Sequence, residues 1–292
     1  MTKLHVYSNC ATTGLARSLA LLCPDLKVEA TEIGPAQADQ DKTRADMLAA
    51  SRLVLLPQAR QIAQNLIGAQ ALAQRIAIDV PGFFFSGYHP DCCYIRSRKG
   101  YPVNTRFGAY HSLIALVAWR MGLSVAQAAA LYNGRTYAAA GYLDLWDKQR
   151  QLLVASFATA GIDIAADVLR WSRRGCFMHT FNHPHVACLF DVARAIAPQL
   201  DTRVVDFPTP PGDTLSDNAI FPCYPEIAAN AGTRGSLLFK LSKRDEVVDL
   251  EGFLTLSFYT YERHAAEDLN LDPGDEARAQ TLTRWLTQEA AA

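Results

Sequence analysis

The stretch Lys3-Leu4-His5-Val6-Tyr7-Ser8-Asn9-Cys10 decides how the rest of the chain is read. Lys3 to Tyr7 is short and β-favouring, and Leu15 to Leu22 is a Leu- and Ala-rich helical segment closed by Pro24. Strand, turn, helix is the opening of a βαβ unit. The pattern then repeats. Lys27 to Ile33 reads as a second strand, Asp41 to Ala50 as a polar helix and Leu53 to Leu56 as a fully apolar third strand. Ile62 to Gln74 reads as a helix and Ile76 to Val80 as a fourth strand. Apolar strands separated by helices imply an α/β fold, with a mostly parallel sheet covered by helices on both faces.

From Phe107 to Trp171 the composition turns helical, with Gly122, Gly134 and Gly161 at expected helix ends. This predicts a large helical middle segment, an insert or lid over about 107–172, within a single α/β domain spanning 1–292. Cys176 to Phe181 returns to a strand pattern and Val186 to Ala197 to a helix, while Val204 and Val205 suggest one more short strand. The Pro-, Gly- and Asp-rich stretch Phe207 to Pro225 is a long loop. Leu237 to Lys240 reads as a last strand, with helices from Leu250 and from Asp275.

Half of the 292 residues are apolar, enough for a large core. With 28 basic against 29 acidic side chains, the net charge of −1 gives no reason to expect nucleic acid or an anionic membrane as partner. No run approaches the roughly 18 apolar residues of a membrane span. The first residues also lack the pattern of a secretion signal. Seven scattered cysteines do not form a disulfide framework, so reduced thiols in a cytoplasmic protein are expected.

Four segments carry candidate chemistry. Ser8-Asn9-Cys10 follows the first strand and precedes a helix, where ligands bind in doubly wound sheets. A thiol there meets backbone N–H groups and the positive end of the helix dipole, which favour a nucleophilic thiolate; the bland reading is a small buried residue. The second segment runs Cys176-Phe-Met-His179-Thr-Phe-Asn182-His183-Pro184-His185, with Cys188 beyond. It offers His183 as general acid or base with Asn182 as its orienter. It also offers zinc ligands without the usual spacing, or histidines that only cap the next helix. The third, Pro81 to Asp91, contains Ser86, Gly87, Tyr88 and His89; Gly87 permits close backbone approach, and Ser86 or Tyr88 offers donors to an oxyanion or ligand. Its neighbours Cys92-Cys93 lack a redox spacing and read as structural. In the fourth, Arg96, Arg98 and Lys99 form a cationic cluster suited to phosphate, with a solvated loop as the plainer alternative. Arg173-Arg174 invites the same two readings. No phosphate-binding G-x-x-x-x-G-K-[ST] loop, dinucleotide G-x-G-x-x-G turn or H-E-x-x-H helix is present.

Taken in order, these segments resemble the WcbI family of polysaccharide-biosynthesis proteins. The resemblance runs through Asn9-Cys10, Pro57-Gln58, Phe85-Ser-Gly-Tyr-His-Pro-Asp91 and Tyr110-His111-Ser112. It continues through Phe181-Asn-His-Pro184, Asp249-Leu-Glu-Gly-Phe253 and Tyr259 to Tyr261. It implies a coenzyme A-binding protein that O-acetylates a sugar of a capsular or related polysaccharide, with acetyl-CoA as donor and no metal. The implied cleft lies at the carboxyl ends of the strands, by a logic related to SGNH hydrolases. Cys10 takes the nucleophile position and His183 that of the base, with Asn9, Ser86, Gly87 and Asn182 holding the oxyanion or the imidazole. Gln58, Tyr88, His89, Arg96, Arg98, Lys99 and His111 would contact the coenzyme. The chain departs from the SGNH pattern where Ser8-Asn9-Cys10 replaces Gly-Asp-Ser, and where Thr180 replaces the Asp three residues before His183. Two rival readings share the scaffold: a cysteine-dependent esterase or thioesterase, and a non-catalytic protein that binds coenzyme A or a phospho-ligand.

Overall fold

The structure, a computed structural model, describes residues 2–291. Along the chain come β1 (Thr2–Ser8), α1 (Thr12–Leu22), β2 (Leu26–Glu32), α2 (Ile33–Ala38) and α3 (Gln40–Ala49). Then follow β3 (Arg52–Leu55), α4 (Pro57–Ala73) and β4 (Ile76–Asp79). After them come β5 (Cys92–Arg96), β6 (Tyr110–Ser112), α5 (Leu113–Arg120), α6 (Val125–Ala129), α7 (Gly134–Ala139), α8 (Leu145–Thr159) and α9 (Ala165–Ser172). The remainder holds β7 (Met178–Thr180), β8 (His183–Pro184), α10 (Val186–Ile196), α11 (Pro225–Asn230), β9 (Phe239–Lys240) and β10 (Val247–Val248). It closes with α12 (Leu250–Tyr261), β11 (Asn270–Leu271) and α13 (Pro273–Ala291). The chain forms two compact units: residues 1–84, 151–171 and 182–215 make the first, and residues 85–150, 172–181 and 216–292 the second.

In the first unit, β2-β1-β3-β4 is an all-parallel sheet in that order, as the alternation of strands and helices predicts. On one face Tyr7, Leu53 and Leu55 are buried with Ala36, Met47, Ala59 and Ala63 of α2 to α4. Leu4, Val6 and Val54 alternate onto the opposite face, the side of α1. There α1 packs on α10 so closely that a Cβ on Gly14 would stand 2.6 Å from Leu189 Cδ1. Trp171 of α9 donates its indole N–H to Asp191 of α10 at 2.8 Å, and Phe83 packs on Phe157 and Trp171.

The second unit is organised differently. Its sheet, β11-β5-β6, is antiparallel and pairs Asn270 with Arg96, a contact that no local pattern reveals. Phe107, Phe221, Phe239 and Phe253 form an aromatic core, with Phe239 and Phe253 stacked at 3.9 Å. Beside it lies an enclosed carboxylate. Asp91 accepts the Ile114 N–H (2.9 Å) and the Tyr142 hydroxyl (3.1 Å) at Oδ1, and the Tyr224 hydroxyl (2.8 Å) at Oδ2. It thereby ties the start of β5 to the first turn of α5, the turn after α7 and the start of α11. Burial pushes its pKa up, and the hydrogen bonds it receives only partly offset this.

The middle segment is helical as read, in pieces: after β6 it runs through α5 to α9, and Gly122, Gly141 and Gly161 adopt φ near +70° and stop the helices before them. Its residues divide between the units at position 150. One expectation is corrected: Val204 and Val205 form no strand; the Val205 N–H only reaches the Leu22 carbonyl at the end of α1.

Asp91→Ala leaves two tyrosine hydroxyls and a backbone N–H without their acceptor, and is expected to cost about 3 kcal/mol or more in urea unfolding. A loss under 1 kcal/mol would show the cage to be dispensable. A second expectation concerns pH. Burial lowers the pKa of His111 to about 4, against the Val103 carbonyl that raises it, and burial lowers His5 to about 4 as well. Both rings are therefore neutral in the fold, while the unfolded chain takes up protons below about pH 6.5. Their contribution is full above that pH and is lost as the pH falls toward 4, with His111 alone accounting for about 2 kcal/mol between pH 7 and 5. Urea midpoints at the two pH values measure it.

Candidate functional site

The strand order fixes where the first unit can bind a ligand. From β1 the chain crosses to β2 on one side, and β3 lies on the other, so β1 and β3 flank a topological switch point at their carboxyl ends. Both strands lead directly into helices there. After β1, Asn9 closes a tight turn: its Oδ1 accepts the Ala11 N–H at 3.0 Å, and its carbonyl accepts the Thr12 N–H at 2.9 Å together with the Thr12 hydroxyl. After β3, Pro57 takes the first position of α4 and Gln58 follows it, exposed. Neither α1 nor α4 has a side-chain cap or an acidic residue in its first turn, so the positive ends of two helices meet the switch point.

Cys10 sits within this turn, partly exposed, at the expected place. Its ionisation differs from the expectation. Burial pushes the thiol up to about 11, Glu32 at the end of β2 adds to the shift, and the Cys10 and Ala11 N–H groups only partly oppose it. The parallel register sets Glu32 beside Ser8, two residues from the thiol. At neutral pH Cys10 is therefore a thiol, because desolvation and one carboxylate outweigh the helix start.

Asn182 and His183 belong to the same unit and are buried just before α10. A Cβ on Gly14, in the first turn of α1, would lie 3.8 Å from Val186 Cγ2 as well as against Leu189, so the first turns of α1 and α10 are in contact. Cys10 and His183, each a few residues ahead of one of these helices, thus enter the helix pair from the same end. The start of α10 is held by a residue outside the expected set: Asp213 accepts the Val186 N–H at 2.9 Å through Oδ2 and the Leu215 N–H at 3.1 Å through Oδ1. Asp213 lies in the long Pro- and Gly-rich loop, where no local spacing signals a cap for α10. The zinc alternative for this segment finds no support, since no set of three His, Cys, Asp or Glu side chains gathers among the described residues.

The glycine that matters at the switch point is Gly82. A Cβ there would meet Asn9 Nδ2 at 3.3 Å and Leu56 Cδ1 at 3.4 Å, so the missing side chain lets the Asn9 amide approach the chain after β4. Gly87 answers a different need. Its Cβ would fall 2.7 Å from the Phe85 ring and 3.1 Å from Trp146 Cα, which makes it a packing glycine of the second unit.

The other expected contact residues all lie in the second unit. Ser86 is partly exposed and accepts the His89 N–H in a turn. Tyr88, His89 and His111 are enclosed, each with hydrogen-bond partners inside the unit. Tyr88 packs among Phe85, Trp146 and Phe177, and its hydroxyl reaches the Gly175 carbonyl at 3.4 Å. His89 Nε2 bonds the Phe221 carbonyl at 2.9 Å. His111 bonds the Val103 carbonyl at 2.8 Å and the Tyr261 hydroxyl at 3.2 Å, so both ring nitrogens are committed. Arg96, Arg98 and Lys99 are exposed around the turn after β5, where Arg96 meets Asp272 at 3.8 Å. Cys92 and Cys93 are buried in β5, as read.

The family described as "Polysaccharide biosynthesis enzyme WcbI" matches residues 3–204. The chain belongs to the WcbI family. A solved structure described as a WcbI polysaccharide biosynthesis enzyme, in a native form without a disulfide bond between coenzyme A and one of its cysteines, superposes with a TM-score of 0.69. At 17% identity over 98% of this chain and 97% of that one, the likeness establishes the shared fold. No curated protein matches the sequence. Among the described residues no helix is long and apolar enough to cross a membrane.

Alkylation of Cys10, followed by peptide mass spectrometry, is expected to accelerate with pH up to an inflection near 11. Glu32→Gln removes one of the two upward influences and should move the inflection down. An inflection below 8 in the unmodified protein would restore the thiolate.

Proposed function

We propose that this WcbI-family protein binds coenzyme A at the switch point of the first unit and transfers an acyl group, in the first instance acetyl, from it to a sugar hydroxyl during synthesis of a capsular or related polysaccharide. The observation that carries the reading is a partly exposed cysteine lying where two uncapped helices begin. That environment suits an anionic ligand with a reactive sulfur at its end. A related structure whose description pairs coenzyme A with a cysteine supports the same assignment.

The protonated state of Cys10 favours direct transfer over a covalent acyl-cysteine. In that route the sugar oxygen attacks the thioester carbonyl while His183 takes the hydroxyl proton. The C–S bond then breaks, and His183 returns the proton to the departing sulfur, leaving free coenzyme A and the sugar ester. Cys10 lines the sulfur end of the coenzyme, and the N–H groups at the start of α1 face the charge that develops on the carbonyl oxygen.

Calorimetric titration with coenzyme A should give saturable binding. No saturable binding by the wild-type protein would overturn the reading. In acetyl transfer, Cys10→Ala should keep turnover within about tenfold of wild type, whereas His183→Ala should lower it by about 100-fold or more. Abolished turnover in Cys10→Ala would restore the covalent route.

A further inference from the structure

Pro81-Gly82-Phe83-Phe84-Phe85 carries the chain away from β4, and its three aromatic rings do not share one fate. Phe83 and Phe85 are 2% and 0% exposed, Phe83 against Phe157 and Trp171. Phe84, between them, is 57% exposed. Single apolar side chains are common on protein surfaces, and Leu48, Leu152 and Leu169 are of that kind. Phe84 differs in what it borders. A Cβ on Gly82 would meet not only Asn9 Nδ2 and Leu56 Cδ1 but also Phe84 Cε2, at 3.3 Å. The Phe84 ring, the amide of the turn after β1 and the residue that leads into α4 therefore converge on one bare backbone position. That position lies at the switch point, beside the residue that precedes Cys10.

These neighbours define what the ring can contact. Asn9 commits Oδ1 to the Ala11 N–H, which leaves Nδ2 as the polar group of this surface, a donor. Phe84 and Leu56 are its apolar groups. An acyl thioester has the matching make-up: a carbonyl oxygen that accepts a hydrogen bond, followed by an alkyl chain that gains by leaving water. With the ligand sulfur at Cys10, the group that reaches Phe84 is the one bonded to that sulfur, the acyl chain; the adenine lies at the far end of the coenzyme. A ring more than half exposed is an open shelf, so it sets no limit at two carbons.

We propose that Phe84 is the residue that sets acyl specificity: the alkyl part of the acyl group lies against its ring, with the thioester carbonyl toward Asn9 Nδ2, so that the site takes short acyl chains longer than acetyl. The assignment rests on the coenzyme A reading and adds to it the class of acyl group. The test is calorimetric titration of the full chain with coenzyme A, acetyl-coenzyme A and butyryl-coenzyme A. Butyryl-coenzyme A should bind about fourfold more tightly than the acetyl compound, the worth of two further methylenes each covered on one side. In Phe84→Ala the two thioesters should bind equally, and in Phe84→Leu the butyryl compound should keep most of its advantage. The ratio of the two affinities is the readout, because a general loss of binding leaves it unchanged; urea midpoints check that each variant is folded. Equal or reversed affinities in the wild-type protein, or a butyryl advantage that survives in Phe84→Ala, would overturn the proposal and leave the coenzyme A reading standing. Failure of all three compounds to bind the wild-type protein would remove that reading and the proposal with it.

Discussion

Everything at the functional end of the first unit follows from β1 being hydrogen-bonded on both edges. Flanked by β2 and β3, it has no free edge and both of its faces are covered. The only part of it that can meet a ligand is its carboxyl end, where the chain must turn sharply into α1. Asn9 makes that turn with its own side chain, Gly82 leaves room for it, and Cys10 is presented as a consequence. The position of the cysteine is thus set by sheet topology, and its ionisation first by burial and then by the carboxylate that the neighbouring strand places beside it.

The same logic separates what the sequence revealed from what it hid. The parallel sheet was legible because each strand and helix declares itself within a dozen residues by composition and periodicity. The site of Cys10 was legible for the same reason, since strand, turn and helix are contiguous. Its high pKa was not, because it comes first from burial in the fold and then from Glu32, which acts through the register of β2 against β1. What Gly82 and Gly87 each make room for could not be read locally, because it depends on what each backbone touches in the fold. Tyr88, His89 and His111 read as ligand contacts for a related reason. The carbonyls that these three bond in the fold, Gly175, Phe221 and Val103, are named by no local pattern.

The two units divide their roles by the kind of surface they present. In the first, uncapped helix starts and a thiol gather where a parallel sheet changes direction, an arrangement suited to an anionic ligand with a sulfur terminus. In the second, aromatic packing is pervasive, from the Phe239–Phe253 stack to Trp146 beside Phe85 and Tyr88.

The Asp91 cage bears on how the protein is made. Its partners come from residues 114, 142 and 224, so the carboxylate cannot be satisfied until more than half of the chain beyond it has emerged and closed upon it. Until then the aspartate favours water over the interior. Loops that long are slow to close, and contacts so distant in sequence arise late. The second unit is therefore expected to acquire its native packing near the end of folding, in one cooperative step that admits the charge and the tyrosines together. A nascent chain stopped short of Tyr224 would keep this region open, with its aromatic core exposed to chaperones.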